Sequence, residues 1–256
     1  MDKLSLKDKK GLIIGIANNK SIAYGCARVM REAGAELAIT YLNEKAETYV
    51  RPLAESLKAP ITMPCNVQND AEMKALFTAI NKKWGNLDFL IHSIAYAPKS
   101  DLQGRVVDSS SEGFLEAMDI SCHSFVRMAK LAEPLMKNGG NLITMSYYGA
   151  EKVVDRYSIM GPVKAALESS VRYMAAELGE KKIRVNAISP GAIQTRAAGG
   201  IPGFDSFLET SKRKSPLHRL IDIDDIGNMA AFLASDAAKN ITGQTLYIDA
   251  GYEVMD

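Results

Sequence analysis

Tyr157 and Lys164 stand seven residues apart in a segment of helical period. Seven residues are close to two helical turns, so the spacing predicts a phenol and an ammonium on one face of a helix. A neutral phenol can donate a hydrogen bond to an oxygen that gains charge during a reaction. One such donor typically lowers a barrier by about 3–4 kcal/mol. On these residues alone, half-buried tyrosines and a surface lysine on an amphipathic helix remain the plainer reading. A second candidate is the turn Gly15-Ile16-Ala17-Asn18-Asn19-Lys20-Ser21 between an apolar run and a helical segment. Gly15 permits a tight turn, Ala17 is small where a chain must approach a pyrophosphate, and Asn18 and Asn19 tolerate turn geometry. Ser21 is placed as an N-cap, its hydroxyl and the helix N-terminus facing an anion. Gly25 would let that helix sit close to the strand. The spacing is not G-x-G-x-x-G, and a plain strand–turn–helix connection fits equally well. Cys26, Cys65 and Cys122 cannot all pair, no two sit at metal-ligand spacing, and His92, His123 and His218 do not converge, so no metal is assigned. His92 ends a strand, where packing or a backbone hydrogen bond is the default.

The elements that must carry these residues alternate. Short apolar runs at 11–16, 36–41, 61–65, 87–92, 141–146, 183–188 and 245–248 read as strands. Segments 21–33, 44–57, 70–84, about 112–136 and 157–178 read as helices, with two shorter ones before the last strand. Unbroken apolar strands alternating with helices predict an α/β fold: one doubly wound, Rossmann-like parallel sheet covered on both faces, in a single domain spanning the chain. Ligands of such sheets bind at the carboxyl ends of the strands. The 256 residues are 47% hydrophobic and 24% charged, ordinary for a soluble globular protein. Thirty-one basic against 30 acidic residues leave +1, which gives no bulk electrostatic case for nucleic acid or an anionic membrane. No run approaches the about 18 apolar residues of a transmembrane helix. The N-terminus is too polar for a secretory core, and reduced thiols suit a cytosol, so a mature cytoplasmic protein is expected.

The string GIANNKSIAYG resembles the signature of the enoyl-[acyl-carrier-protein] reductases, the divergent branch of the short-chain dehydrogenase/reductase superfamily. The resemblance covers essentially the whole chain, through HSIAYAP (92–98), EGF (112–114), SYYGAE (146–151), YSIMGPVKAALES (157–169), RVNAISPGAIQT (184–195) and TGQTLYIDAGY (242–252). It implies reduction of trans-2-enoyl thioesters by hydride from NADH. It assigns cofactor contacts to Gly15, Ala17, Ser21, Ile22 and Leu42, then Asn66, Val67, Ser93, Ile94 and Ala95, then Lys164, Ile193 and Thr195. Asn66 stands where relatives usually carry aspartate against the adenine amino group, and its carbonyl can accept the same bond. Leu42 and the absence of an arginine in Leu42-Asn43-Glu44-Lys45 favour NADH, and Lys45 is the one local cation for NADPH.

Ordinary members of the superfamily place tyrosine four residues before the lysine, where this chain has Met160. The branch uses the wider spacing of Tyr157 and Lys164, with Tyr147 as its second tyrosine. Pro162 replaces a helix-compatible residue, which places the helix start close to Tyr157 and predicts a slight bend between Tyr157 and Lys164. Pro190-Gly191-Ala192 looks like the wider superfamily rather than the branch. Ala97, Tyr147, Tyr157, Met160, Ile201 and Phe204 are the expected acyl-pocket residues, with a mobile covering segment near 195–215. Lys212-Arg213-Lys214 is a solvated face or a docking patch for an acidic acyl carrier protein. Resemblance further implies a homotetramer packed through long helices, with Ala165, Ala166, Ser169 and Ser170 suited to close approach or to the sheet, and binding of diphenyl-ether inhibitors. The alternative is a 3-ketoacyl or alcohol dehydrogenase, for which Ser146 is present and Met160 is the obstacle. A non-catalytic dinucleotide sensor is opposed by the joint presence of Tyr147, Tyr157 and Lys164.

Overall fold

The computed structural model describes residues 3–195 and 204–255, the side chains of residues 204 and 205 excepted. Seven strands form one parallel sheet: β1 (Lys10–Ile14), β2 (Glu36–Tyr41), β3 (Ile61–Pro64), β4 (Phe89–His92), β5 (Gly140–Met145), β6 (Ile183–Pro190) and β7 (Thr245–Ile248). Their order is β3-β2-β1-β4-β5-β6-β7. The chain leaves β1 toward β2 on one side and returns to place β4 on the other. The crevice at the carboxyl ends of β1 and β4 is therefore the switch point where such sheets bind ligands.

Alternation along each strand builds two cores. Leu12 and Ile14 point to one face, where α3 (Asp70–Trp84), α5 (Ser111–Met118), α6 (Ser124–Ala132) and α7 (Met160–Leu178) pack. Ile13 points to the other, covered by α1 (Ile22–Glu32), α2 (Glu44–Ser56) and α9 (Ile223–Ala234). The remaining helices, α4 (Lys99–Leu102) and α8 (Phe204–Lys214), lie outside the sheet layers and border the crevice.

Three expectations are corrected. The segment at 112–136 is not one regular helix: α5 and α6 are joined by a π-helical turn over Asp119–His123, followed by a tighter turn at Glu133–Leu135. A π-turn leaves the apolar spacing almost intact, so periodicity does not reveal it. Helix α7 begins at Met160, so Tyr157 precedes it. Gly25 makes room for a helix and not for the strand. A Cβ there would lie 2.3 Å from the Ile223 carbonyl oxygen of α9, and one on Gly227 2.7 Å from the Gly25 oxygen.

Candidate active site

A cleft of about 1660 Å³ opens along the carboxyl ends of β1–β6. Its first wall is main chain. Gly15 has φ +110°, and a Cβ there would lie 2.1 Å from the carbonyl oxygen of Ser93 at the exit of β4. Only glycine meets both conditions. Ser21 does occupy the N-cap position of α1, but its hydroxyl makes no bond to the first helical turn. It accepts instead from the backbone N–H of Ala17 and Asn18, each at 3.0 Å. The side chain expected to cap the helix pins the preceding loop, which leaves the Ile22 and Ala23 amides of α1 for an anion at the cleft, while the Tyr24 amide donates to the Ser21 carbonyl at 2.9 Å.

At the exit of β2, Leu42 is 55% exposed, and Asn43 caps α2 by accepting from the Ala46 N–H at 3.0 Å. Asn66 follows β3. Its side-chain oxygen accepts from the Gln68 N–H at 3.0 Å while its own N–H donates to Glu72 at 2.7 Å. One lone pair of that oxygen remains for a purine amino group. The Val67 carbonyl accepts from Arg127 at 2.6 Å. Beyond β4, Ser93 donates its N–H to Ile14 at 3.0 Å, and the buried Ser121 hydroxyl accepts from the Tyr96 N–H at 2.8 Å and donates to its carbonyl at 2.9 Å. These bonds hold the strip Ser93–Ala97 on the cleft floor. At the far side, Ile193 and Thr195 follow β6 into the same cleft.

The second wall is built from side chains. Tyr147 leaves β5 and its ring lies 4.7 Å, centroid to centroid, from that of Tyr157, tilted by 59°. Gly149 makes the pairing possible, because a Cβ there would approach the Tyr157 ring to 2.5 Å. Lys164 is buried on α7 and donates to the Met145 carbonyl at the end of β5, at 2.6 Å. Burial pushes the Lys164 pKa down to about 8, against smaller opposing contributions from Cys122 and Glu168. Burial raises the pKa of Tyr157 and of Tyr147, so both are neutral phenols at physiological pH.

Tyr157 and Lys164 thus share the cleft but not a helical face, since only Lys164 lies within α7. Pro162 does not bend the helix between them. It is the third residue of α7, where a backbone N–H has no intrahelical partner to lose.

Met160 and Ala97 line the cleft. Ile201 lies outside the described residues, and Phe204 opens α8 with its side chain outside them. Sequence reading missed Tyr148, Phe207 and Tyr252, which line the cleft as an aromatic group. The Tyr252 ring lies 5.8 Å from Tyr148 and 6.2 Å from Phe207. Tyr252 ends a string that carried the resemblance but no site assignment, and only folding brings it across to the α8 side. His92 is buried between the hydroxyls of Thr144 at 3.0 Å and Ser124 at 2.8 Å. Burial, and next the Lys164 charge, pushes its pKa down to about 3, so it joins the sheet to α6 as a neutral ring. Among the described residues no three His, Cys, Asp or Glu side chains are grouped to hold a metal ion.

The glycine cradle, the open N-terminus of α1 and the buried lysine fit a nicotinamide dinucleotide laid across the switch point. Comparison with known proteins agrees with that fit. Residues 15–253 match the model of the enoyl-(acyl carrier protein) reductase family. The chain is 48% identical over 255 residues to the NADH-type enoyl-[acyl-carrier-protein] reductase of Nostoc sp., covering 98% of this chain and 99% of that one. A crystal structure of the reductase from Anaplasma phagocytophilum in complex with NAD superposes with a TM-score of 0.94 at 48% identity, over 99% of this chain and 97% of the other. The Bacillus cereus enoyl-acyl carrier protein reductase, solved with NADP+ and an indole naphthyridinone, gives 0.96 at 42% identity over 98% of both chains. On a sheet order, a cleft and a match that run the length of the chain, this protein belongs to the enoyl-(acyl carrier protein) reductase family.

Proposed function

We propose that this chain reduces the carbon–carbon double bond of trans-2-enoyl thioesters borne by acyl carrier protein, using NADH, as the last step of fatty-acid elongation. The observation that carries the reading is the neutral Tyr147–Tyr157 pair beside buried Lys164, on the wall opposite a backbone cradle for a dinucleotide. A reduced nicotinamide bound there supplies the hydride that adds to the β-carbon. Gly15, Ala17 and the amides of α1 receive the pyrophosphate, while Leu42, Asn66 and Val67 flank the adenosine. Ser93, Ile94, Ala95, Ile193 and Thr195 border the nicotinamide half. Tyr157 donates a hydrogen bond from its neutral phenol to the thioester oxygen as enolate charge builds there, and the α-carbon of the enolate then takes its proton from solvent. Lys164 holds the ribose and adds positive potential, and Tyr147 packs on Tyr157 and orients the acyl group.

A ketoreductase mechanism would need a free hydroxyl at Ser146. Here that hydroxyl donates to the Glu168 carboxylate, and Met160 occupies the place of its tyrosine. NADH is the proposed donor because no arginine follows β2, and Lys45 at the cleft wall is the residue that would admit NADPH. Of the stretch near 195–215, residues 196–203 lie outside the described residues; α8 acts as the cover of the acyl end, a role supported by its Ser206, Phe207, Thr210 and Lys214 facing the cleft. Lys212, Arg213 and Lys214, all exposed in the last turn of α8, receive the acidic carrier protein. The active assembly is a homotetramer joined through the α5–α6 and α7 surfaces, where Leu115 and Tyr173 are exposed. On α7, Ala165 is exposed and Ala166, Ser169 and Ser170 are half-buried. The three cysteines are free and buried, which suits the cytoplasm as the compartment, and no helix among the described residues is long and apolar enough to cross a membrane. The test is NADH consumption with a trans-2-enoyl thioester set against a 3-ketoacyl thioester. Oxidation with the ketoacyl compound alone overturns the proposal.

A further inference from the structure

Tyr157 is flanked by two residues in the left-handed backbone region, Arg156 at φ +60° and Ser158 at φ +46°. Neither is glycine or asparagine, the residues that adopt this conformation readily, so surrounding contacts must hold it. The Ser158 hydroxyl supplies such a contact. It donates to the carbonyls of Gly104 at 2.7 Å and Asp101 at 3.0 Å, one proton shared between two acceptors. Both carbonyls belong to the segment around α4, which follows Ala97 and includes Leu102 on the cleft wall. That segment is itself closed. The Asp101 carboxylate accepts from the Ser110 N–H at 2.6 Å and the Ser100 hydroxyl at 2.9 Å. A Cβ on Gly113 would lie 2.4 Å from the same carboxylate, so α5 leaves it no room to move.

We propose that Ser158 is a positioning residue, whose hydroxyl ties the α4 segment walling the acyl end of the cleft to the backbone that aims the Tyr157 phenol. Ser158 does not itself line the cleft and acts only through Tyr157. The inference rests on Tyr157 being the donor to the substrate oxygen. A bond to the wall of the substrate site makes the phenol's position depend on that wall, so its loss affects turnover and not cofactor binding.

The experiment compares Ser158→Gly, Ser158→Ala and Ser158→Asn in the full-length protein, with Tyr157→Phe alongside. Glycine removes the hydroxyl and also the backbone strain, so its fold is secure. Alanine removes the hydroxyl and keeps the strain. Asparagine tolerates the left-handed region and offers an amide N–H to the same carbonyls. Expected is a fall in kcat of about tenfold in both the glycine and alanine variants, from a small misplacement of the phenol, with KM for NADH unchanged and recovery in the asparagine variant. Amide hydrogen exchange over residues 102–106, measured without cofactor, rises in the glycine and alanine variants and not with asparagine. Parental kcat in Ser158→Gly, or no recovery in Ser158→Asn, overturns the proposal. If Tyr157→Phe turns over enoyl thioester at the parental rate, it is the wider reading of the site that fails.

Discussion

The two walls of the cleft are made differently. Toward β1 and β4 the surface is main chain, with Gly15 against the Ser93 carbonyl and the Ser21 hydroxyl holding the Ala17 and Asn18 amides. Toward β5 and α7 it is side chain, with Tyr157 packed at a tilt against Tyr147 beside Gly149 and Lys164 anchored to the Met145 carbonyl. A wall of backbone amides can bind phosphate through many side-chain changes, provided the chain path survives. A wall of single phenol and ammonium groups depends on each atom, and its parts are placed by contacts distant in sequence.

That contrast can be broken or sharpened by measurement. The largest effect belongs to the side-chain wall. Tyr157→Phe lowers kcat/KM for an enoyl thioester by about 10²–10³, the usual loss for one oxyanion donor, while NADH affinity and melting temperature stay near the parent's. A parental rate would falsify the assignment. On the backbone wall, Gly15→Ala forces a Cβ to within 2.1 Å of the Ser93 oxygen at φ +110°. It costs about 2 kcal/mol, or roughly 4–8 °C in a chain of this size, and weakens NADH binding about tenfold. Calorimetry and fluorescence titration read both, and unchanged NADH affinity would remove Gly15 from the cradle.

Lys164 gives an intermediate and pH-dependent effect. Its charge is present below about 8 and lost above, so kcat/KM falls as pH rises through that value. The alkaline limb disappears in Lys164→Met, and a limb that survives the substitution belongs to another group. Stability moves the opposite way. The unfolded chain keeps this proton up to the ordinary 10.5, so between about 8 and 10.5 it binds more protons than the folded chain. The contribution of Lys164 to the stability of the cofactor-free protein therefore rises with pH across that window, and thermal scans of parent and Lys164→Met isolate it. The smallest effect lies outside both walls. Lys212→Glu with Arg213→Glu lowers kcat/KM about three- to tenfold for carrier-borne enoyl substrate and leaves a short neutral thioester unaffected, because rim charges act mainly on encounter. An equal loss with both substrates rules out docking there.

Much of the frame was legible in residue order. Strand β2, helix α3 and strand β7 run over the spans that pattern alone indicates. For α3 the reason is local: Asn69 accepts from the Ala71 and Glu72 amides, and Gly85 closes the other end at φ +71°. The doubly wound parallel sheet also follows, because apolar strands joined by right-handed crossovers admit few alternatives, although the strand order itself is read only from the fold. Short-range periodicity was a poorer guide where the backbone departs from a regular element. The spacing of Tyr157 and Lys164 suggested two turns of one helix, yet the chain enters α7 only at Met160 after two left-handed residues. Ser21 has the residue type and position of a helix cap, yet its hydroxyl turns to the loop.

Element types, their sequence and the candidate chemical groups were set by local composition and hydrophobic period, which act over a few residues and are written into neighbouring positions. The aim of the Tyr157 phenol, the burial that makes Lys164 a weak base and the arrival of Tyr252 beside Phe207 were set by packing. Each depends on atoms far apart in the chain, and on a loss of solvent that no short stretch of residues can impose on its own.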